Sequence, residues 1–201
     1  MRSIRSMGAV LAFAALLGAC GDATGPAQNP VGTVRFTYSG ARSGTFEAVG
    51  RFPSATVRGS PSGAWAAAVR LRGRPVPDDD QAVLTANQRR DDARSDDFSV
   101  LFVPLQVGTL TCEEADVTPL CPMFAQLRFG VPPLAGDPEA QFVVEAGTVR
   151  VTEASGSRVA GTFELVLREV ESGAVLLVSG GIFDVPVVEV QFGVVDRIPA
   201  R

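Results

Sequence analysis

The feature that most constrains the fold is a two-residue rhythm of apolar and polar side chains, cut at short intervals by glycine and proline. In Gly32-Thr33-Val34-Arg35-Phe36-Thr37-Tyr38, Val34, Phe36 and Tyr38 share one face and Thr33, Arg35 and Thr37 the other. Such alternation specifies a half-buried strand, because successive strand side chains point to opposite faces. Gly40 to Gly44 then reads as a turn and Thr45 to Phe52 as the returning strand of a hairpin. Further strands are predicted over Ala64–Leu71, Gln81–Ala86, Phe98–Leu105, Val107–Cys112, Met123–Phe129, Phe142–Thr152, Gly161–Val170, Ala174–Val178 and Ile182–Val195.

These segments imply an all-β fold, an antiparallel β-sandwich of about 8–10 strands, with a closed β-barrel as the alternative. Antiparallel order is expected because the connections are too short for crossovers. Several local features refine the expectation. Ala64–Leu71 is rich in alanine, a helix former, but is short for a helix between its Pro- and Gly-containing flanks. Phe98–Leu105 is almost continuously apolar and is expected to be buried on both faces. A bulge is expected at Gly147, a break at Gly180-Gly181, and an edge or bulge at Pro186, which has no ladder donor.

Two hairpins echo one another. Gly32-Thr33-Val34-Arg35 returns as Gly147-Thr148-Val149-Arg150, and Gly44-Thr45-Phe46-Glu47 as Gly161-Thr162-Phe163-Glu164. Internal duplication and a shared hairpin composition both account for the echo. Two copies do not make a solenoid.

The first residues obey different rules. Arg2 and Arg5 precede an apolar run from Met7 to Leu17, which ends in Leu17-Gly18-Ala19-Cys20. A basic start, a short apolar core and small residues form a secretory signal. The run is about 11 residues, whereas crossing a bilayer as a helix takes roughly 20. The tetrapeptide resembles the lipobox of bacterial lipoproteins. That resemblance implies cleavage before Cys20, attachment of two or three acyl chains there, and a stable membrane anchor. Gly21 after the cysteine, in place of aspartate, favours the outer membrane where a bacterium has two. The expected organisation is a signal peptide over 1–19, a lipidated cysteine and flexible tether over 20–30, and a single β domain over 31–201. The tether, Gly21 to Pro30, carries no apolar periodicity.

Composition restricts the chemistry. The chain has no histidine, and all 18 of its basic residues are arginines. Ser-His-Asp and Cys-His catalysis, histidine-containing zinc sites and lysine Schiff bases are therefore excluded within this chain. Net charge is −4, and becomes −6 once Arg2 and Arg5 leave with the signal. Nucleic acid is not an expected partner, because binding it requires phosphate neutralisation.

Three cysteines are present: Cys20, Cys112 and Cys121. With Cys20 lipidated, an even pair remains in an oxidising compartment, and a Cys112–Cys121 disulfide is expected. The spacing is not C-x-x-C, and Glu113, Glu114 and Asp116 disfavour a thiolate, so a structural staple outweighs a redox pair.

No catalytic or metal-binding residues are assigned, and no cofactor is expected. The charged stretch from Asp78 to Asp97 lacks the EF-hand order, and its interleaved arginines compete for the carboxylates; it reads as a solvated mixed-charge loop. Tyr38 and Trp65 are the candidate ligand-binding aromatics. Gly161-Thr162-Phe163-Glu164 and Gly181-Ile182-Phe183-Asp184-Val185-Pro186 resemble the closing strands of small uncharacterised all-β envelope lipoproteins. Those families imply a fold and no activity. The expected partners are a membrane, through the anchor, and a protein or glycan. The expected function is a non-enzymatic binding or interaction protein, with an envelope hydrolase using carboxylates or an assembly lipoprotein as alternatives.

Overall fold

The computed structural model describes residues 30–53, 64–72, 82–90, 94–102, 104–113, 123–132 and 136–191. Its strands are β1 Val31–Gly40, β2 Gly44–Arg51, β3 Trp65–Arg72, β4 Ala82–Arg89, β5 Ser95–Phe102, β6 Gly108–Cys112, β7 Met123–Val131, β8 Ala140–Ala154, β9 Arg158–Glu169 and β10 Val175–Gln191. The all-β class stands, but the architecture is a closed seven-stranded barrel and not a sandwich. The ring runs β3-β4-β5-β7-β8-β9-β10 and closes where β10 pairs with β3. Alternation predicts which face of each strand is buried. It does not say whether those faces meet as two sheets or curl into one wall.

The closing pair is also the exception to antiparallel order, since β10 and β3 run parallel. An odd number of strands makes this unavoidable: alternating up and down around a ring of seven brings two like directions together at the seam. At that seam β3 meets only Val187–Gln191 of β10, while Leu176–Asp184 pair with β1. The β1–β2 hairpin thus continues the wall where β3 has not yet begun. Its outer strand reaches β4 through a hydrogen bond in which the Glu47 backbone N–H donates to Gln88 Oε1 at 2.8 Å.

Pro186 sits at this handover, beyond the last β1 pair and before the first β3 pair. The Val187 N–H donates towards the β9 side, to the Ser157 carbonyl. Adjacent strand residues point opposite ways, so the donor that proline lacks would have faced the gap between β1 and β3.

Both long strands change inward parity through a bulge. In β10 the buried positions pass from Leu176 and Val178 to Phe183 and Val185, across a register shift between Val178 and Gly181. Gly180 takes φ +62° there, a left-handed conformation suited to glycine. The expected break at Gly180-Gly181 is therefore a bulge inside one continuous strand. In β8 the register shifts twice, between Val144 and Ala146 and between Val151 and Glu153; the first, at Glu145, carries the change of parity, and neither falls at Gly147. β5 also corrects an expectation. Phe98, Val100 and Phe102 are buried, while Ser99 and Leu101 are only half-buried, so one face packs inward and the other does not.

Phenylalanine fills the interior. Phe98 stacks on Phe163 with centroids 5.0 Å apart, and Phe36 stacks on Phe46 at 4.7 Å. Phe36 bridges the two pairs, 5.0 Å from Phe98 and 5.5 Å from Phe163. Alanine in β3 has a different role. Ala66, Ala67 and Ala68 are all fully buried, so this strand is covered on both faces, and its small side chains admit the hairpin closely.

The echoed motifs occupy β1–β2 and β8–β9 with different registers. Arg35 faces Glu47, whereas its counterpart Arg150 faces Thr162 and not Glu164. The two hairpins keep the same inward residues but are offset by two positions.

Candidate functional site

One rim of the barrel gathers the described residues 41–43, 90, 94, 132, 136–139 and 170–174 beside the strand ends, at the end opposite to that where β1 begins. Its centre is Asp96. The β5 alternation places Asp96 in the same inward series as Phe98, Val100 and Phe102, and the carboxylate is buried. Its Oδ1 accepts the Gly130 N–H at 2.9 Å and lies 3.7 Å from the Arg90 guanidinium. Gly130 has φ +61°, and a Cβ there would lie 2.3 Å from the Glu139 carboxyl carbon, so only glycine lets Glu139 fold over this point. Glu139 then accepts from Arg90 at 3.0 Å and from Arg94 at 2.7 Å. Backbone bonds from Arg90 N–H to Arg94 O and from Glu139 N–H to Phe129 O tie these residues to the strand ends beside them.

Tyr38 and Arg42 flank the cluster. The Tyr38 ring lies 5.3 Å from Phe129, and the Arg42 guanidinium carbon stands 5.0 Å from the centroid of that same ring. This is cation–π geometry. Burial, followed by the charge of Asp96, pushes the Tyr38 phenol above its ordinary value. Burial likewise raises the Asp96 carboxyl, against the lowering effects of the Gly130 hydrogen bond and Arg90. Next along β5, Asp97 faces the other way. It accepts from Arg128 at 2.9 Å, Asn87 at 2.6 Å and Ser95 at 3.1 Å.

The sign of the Asp96 shift sets a pH dependence. Native Asp96 takes its proton at higher pH than the unfolded chain does, whose value is near 3.8. Its contribution to stability therefore rises as pH falls through the native pKa, and levels off below the unfolded one. Asp96→Asn keeps an oxygen for the Gly130 N–H and should remain within about 1 kcal/mol of the parent at pH 7 while losing this pH dependence. Asp96→Ala strands a buried donor and should cost about 1–3 kcal/mol. Urea unfolding of both variants at pH 7 and pH 4.5 separates these outcomes.

The sequence-predicted residues are scattered. Tyr38 belongs to the rim cluster. Trp65 opens β3, packs edge-on against Phe52 at 5.1 Å, and shares no ring contact with Tyr38. Cys112 ends β6, its sulfur 3.8 Å from the Glu145 carbonyl oxygen. Cys20, Cys121 and Asp78–Asp80 lie outside the described residues. Among the described residues, no group of three or more His, Cys, Asp or Glu side chains is placed to hold a metal ion.

The expectation of a solvated loop fails at its end, because Ser95–Asp97 belong to β5 and Asp96 is buried. Sequence reasoning does not single out Arg42, Arg90, Asp96, Phe129 or Glu139. Asp96 has a readable signal, since it sits two residues before Phe98 on the inward period. Arg42 and Glu139 have none, because only ring closure brings their loops together. No family model, curated protein or solved structure matches this chain.

Proposed function

We propose that this chain is a lipid-anchored extracytoplasmic barrel that binds a partner, without catalysis, through an anionic group received at Arg42 and Tyr38. The observation that carries this reading is the state of Arg42. Its guanidinium is held over Phe129 beside the Tyr38 ring, and among the described residues no carboxylate pairs with it. Arg90 and Arg94, by contrast, are engaged by Asp96 and Glu139. A half-buried arginine on an aromatic face, next to a phenol donor, suits a carboxylate or another planar anion. The hydrolase alternative has less support. Both Glu139 oxygens accept from Arg90 and Arg94, and Asp96 Oδ1 accepts the Gly130 amide, so three of the four carboxylate oxygens are already engaged within the protein.

Cys20 supplies the anchor in this reading, and a Cys112–Cys121 disulfide staples the connection from β6 to β7 in an oxidising compartment. The test joins fractionation to cross-linking. The parent chain should sediment with membranes and Cys20→Ser should not. A photo-crosslinking residue at Ser43 should trap a discrete adduct that Arg42→Glu reduces at least about tenfold, the scale of one lost charged contact. Membrane retention of Cys20→Ser after a salt wash refutes the anchor. An adduct indifferent to Arg42→Glu refutes the site.

A further inference from the structure

The peptide unit between Phe129 and Gly130 joins the two halves of the rim cluster. Its N–H donates to the buried Asp96 carboxylate at 2.9 Å, and its carbonyl accepts the Glu139 N–H at 2.8 Å. The Phe129 ring beside that peptide carries the Arg42 guanidinium at 5.0 Å and meets the Tyr38 ring at 5.3 Å. Asp96 and Arg42 therefore converge on one residue, the acid at its backbone and the base at its ring. The ion pair of Asp96 is with Arg90, at 3.7 Å, and not with Arg42. Its charge nevertheless reaches the anion-receiving side of the ring, because Asp96, Arg42 and Arg90 are the charges that act on the Tyr38 phenol.

Among the described residues, each element around Asp96 contributes charged or titratable groups. Tyr38 comes from β1 and Arg42 from the residues that follow it. Arg90 follows β4, Arg94 precedes β5 and Glu139 precedes β8. Asp97 and Arg128 pair with each other on the opposite face of β5 and β7, and Arg168 is held by Glu145. Arg89 and Asp137 are exposed. Within the set Arg42, Arg90, Arg94, Asp96 and Glu139, three guanidiniums meet two carboxylates. A proton on Asp96 raises that positive excess from one charge to two.

We infer that Asp96 gates the rim site: a proton taken up by its carboxyl admits an anion at Arg42 and Tyr38, and the ionised carboxylate opposes one. This inference rests on the anion-receiving reading of that site. The protonated carboxyl keeps an oxygen that accepts the Gly130 N–H, so the rim retains its shape while its charge changes. Burial moves the switch above the pH at which an exposed aspartate takes its proton. Linkage makes the effect reciprocal, so an anion bound at Arg42 draws the proton on to Asp96.

The test uses the chain as cells produce it, solubilised in an uncharged detergent. The probe is trifluoroacetate, a carboxylate that stays ionised at both pH 4.5 and pH 7, titrated by fluorine NMR at constant ionic strength. The parent should bind it on the order of five- to tenfold more tightly at pH 4.5, the scale of one unit charge acting across roughly 10 Å near a protein surface. Asp96→Asn, neutral at both pH values, should bind at pH 7 about as the parent does at pH 4.5. In the parent, the titration midpoint of the Asp96 carboxyl, followed by carbon NMR, should rise when the probe saturates. Equal affinity at both pH values, in a parent whose binding is lost in Arg42→Gln, overturns the gate alone. A full pH response retained by Asp96→Asn does the same, and so does an unmoved Asp96 midpoint under saturating probe, which needs no Asp96 variant to fold. No saturable binding to the parent at either pH, or binding indifferent to Arg42→Gln, overturns the site and the gate with it.

Discussion

Gly50→Ala and Gly32→Ala should each destabilise the barrel by about 3 kcal/mol or more, the upper range for a forced overpacking. The two glycines are cross-strand partners at the open end of the β1–β2 hairpin. A Cβ at Gly32 would stand 2.0 Å from the Ala66 carbonyl oxygen, and one at Gly50 1.9 Å from that of Ala64. Both obstacles are backbone, so no rotamer change relieves them. The hairpin must lift off β3, exposing strand surface buried on both sides. For a domain of this size the melting temperature should fall by about 6–12 °C. Gly156→Ala is the matched control. A Cβ there would meet nothing within 4 Å, and the variant should stay within about ±0.5 kcal/mol of the parent. Thermal melts of the three variants check this. If Gly50→Ala melts with Gly156→Ala, the close crossing of hairpin and β3 is not part of the fold.

Phe98→Ala should cost about 3–5 kcal/mol, as expected for an aromatic removed from a packed core. Phe98 is fully buried and touches rings from three other strands: Phe163 at 5.0 Å, Phe36 at 5.0 Å and Phe46 at 6.2 Å. Those neighbours belong to the hairpin as well as to the ring, so the cavity cannot collapse without moving both. Phe124→Ala provides the contrast, since its ring is half exposed and should cost less than about 1 kcal/mol. Urea denaturation reads both, and the parent slope should be retained by Phe124→Ala. Equal costs for the two substitutions would remove the phenylalanine cluster as the centre of the core.

Strand existence is largely written in local pattern. β1, β2, β3, β7 and β9 lie within a few residues of their expected positions because alternation and turn residues act over short range. The departures come from parity. The inward series of β10 changes from even to odd numbers at Gly180, and without its partners that change is indistinguishable from a strand end. In β5, the run Phe98 to Phe102 looks apolar on both faces until the barrel curvature places one face inside and leaves the other half-buried. Asp96 follows the inward period and is readable from it. What hides it is its place in a charge-rich stretch that resembles a solvated loop.

The sequence by itself determined the all-β class, most of the strands, and a catalytic repertoire without histidine or lysine. It did so because side-chain period and chemical identity are properties of a few neighbouring residues. It also carried the lipobox resemblance, which belongs to the chain alone. Only the tertiary structure decided that the strands close as a ring of seven, that one pair must run parallel, and that a hairpin replaces the missing half of β3. It alone placed Arg42, Phe129 and Asp96 on one rim. Ring closure is a property of how far each strand is sheared against the next. That quantity accumulates over the whole wall and is not encoded in any single segment.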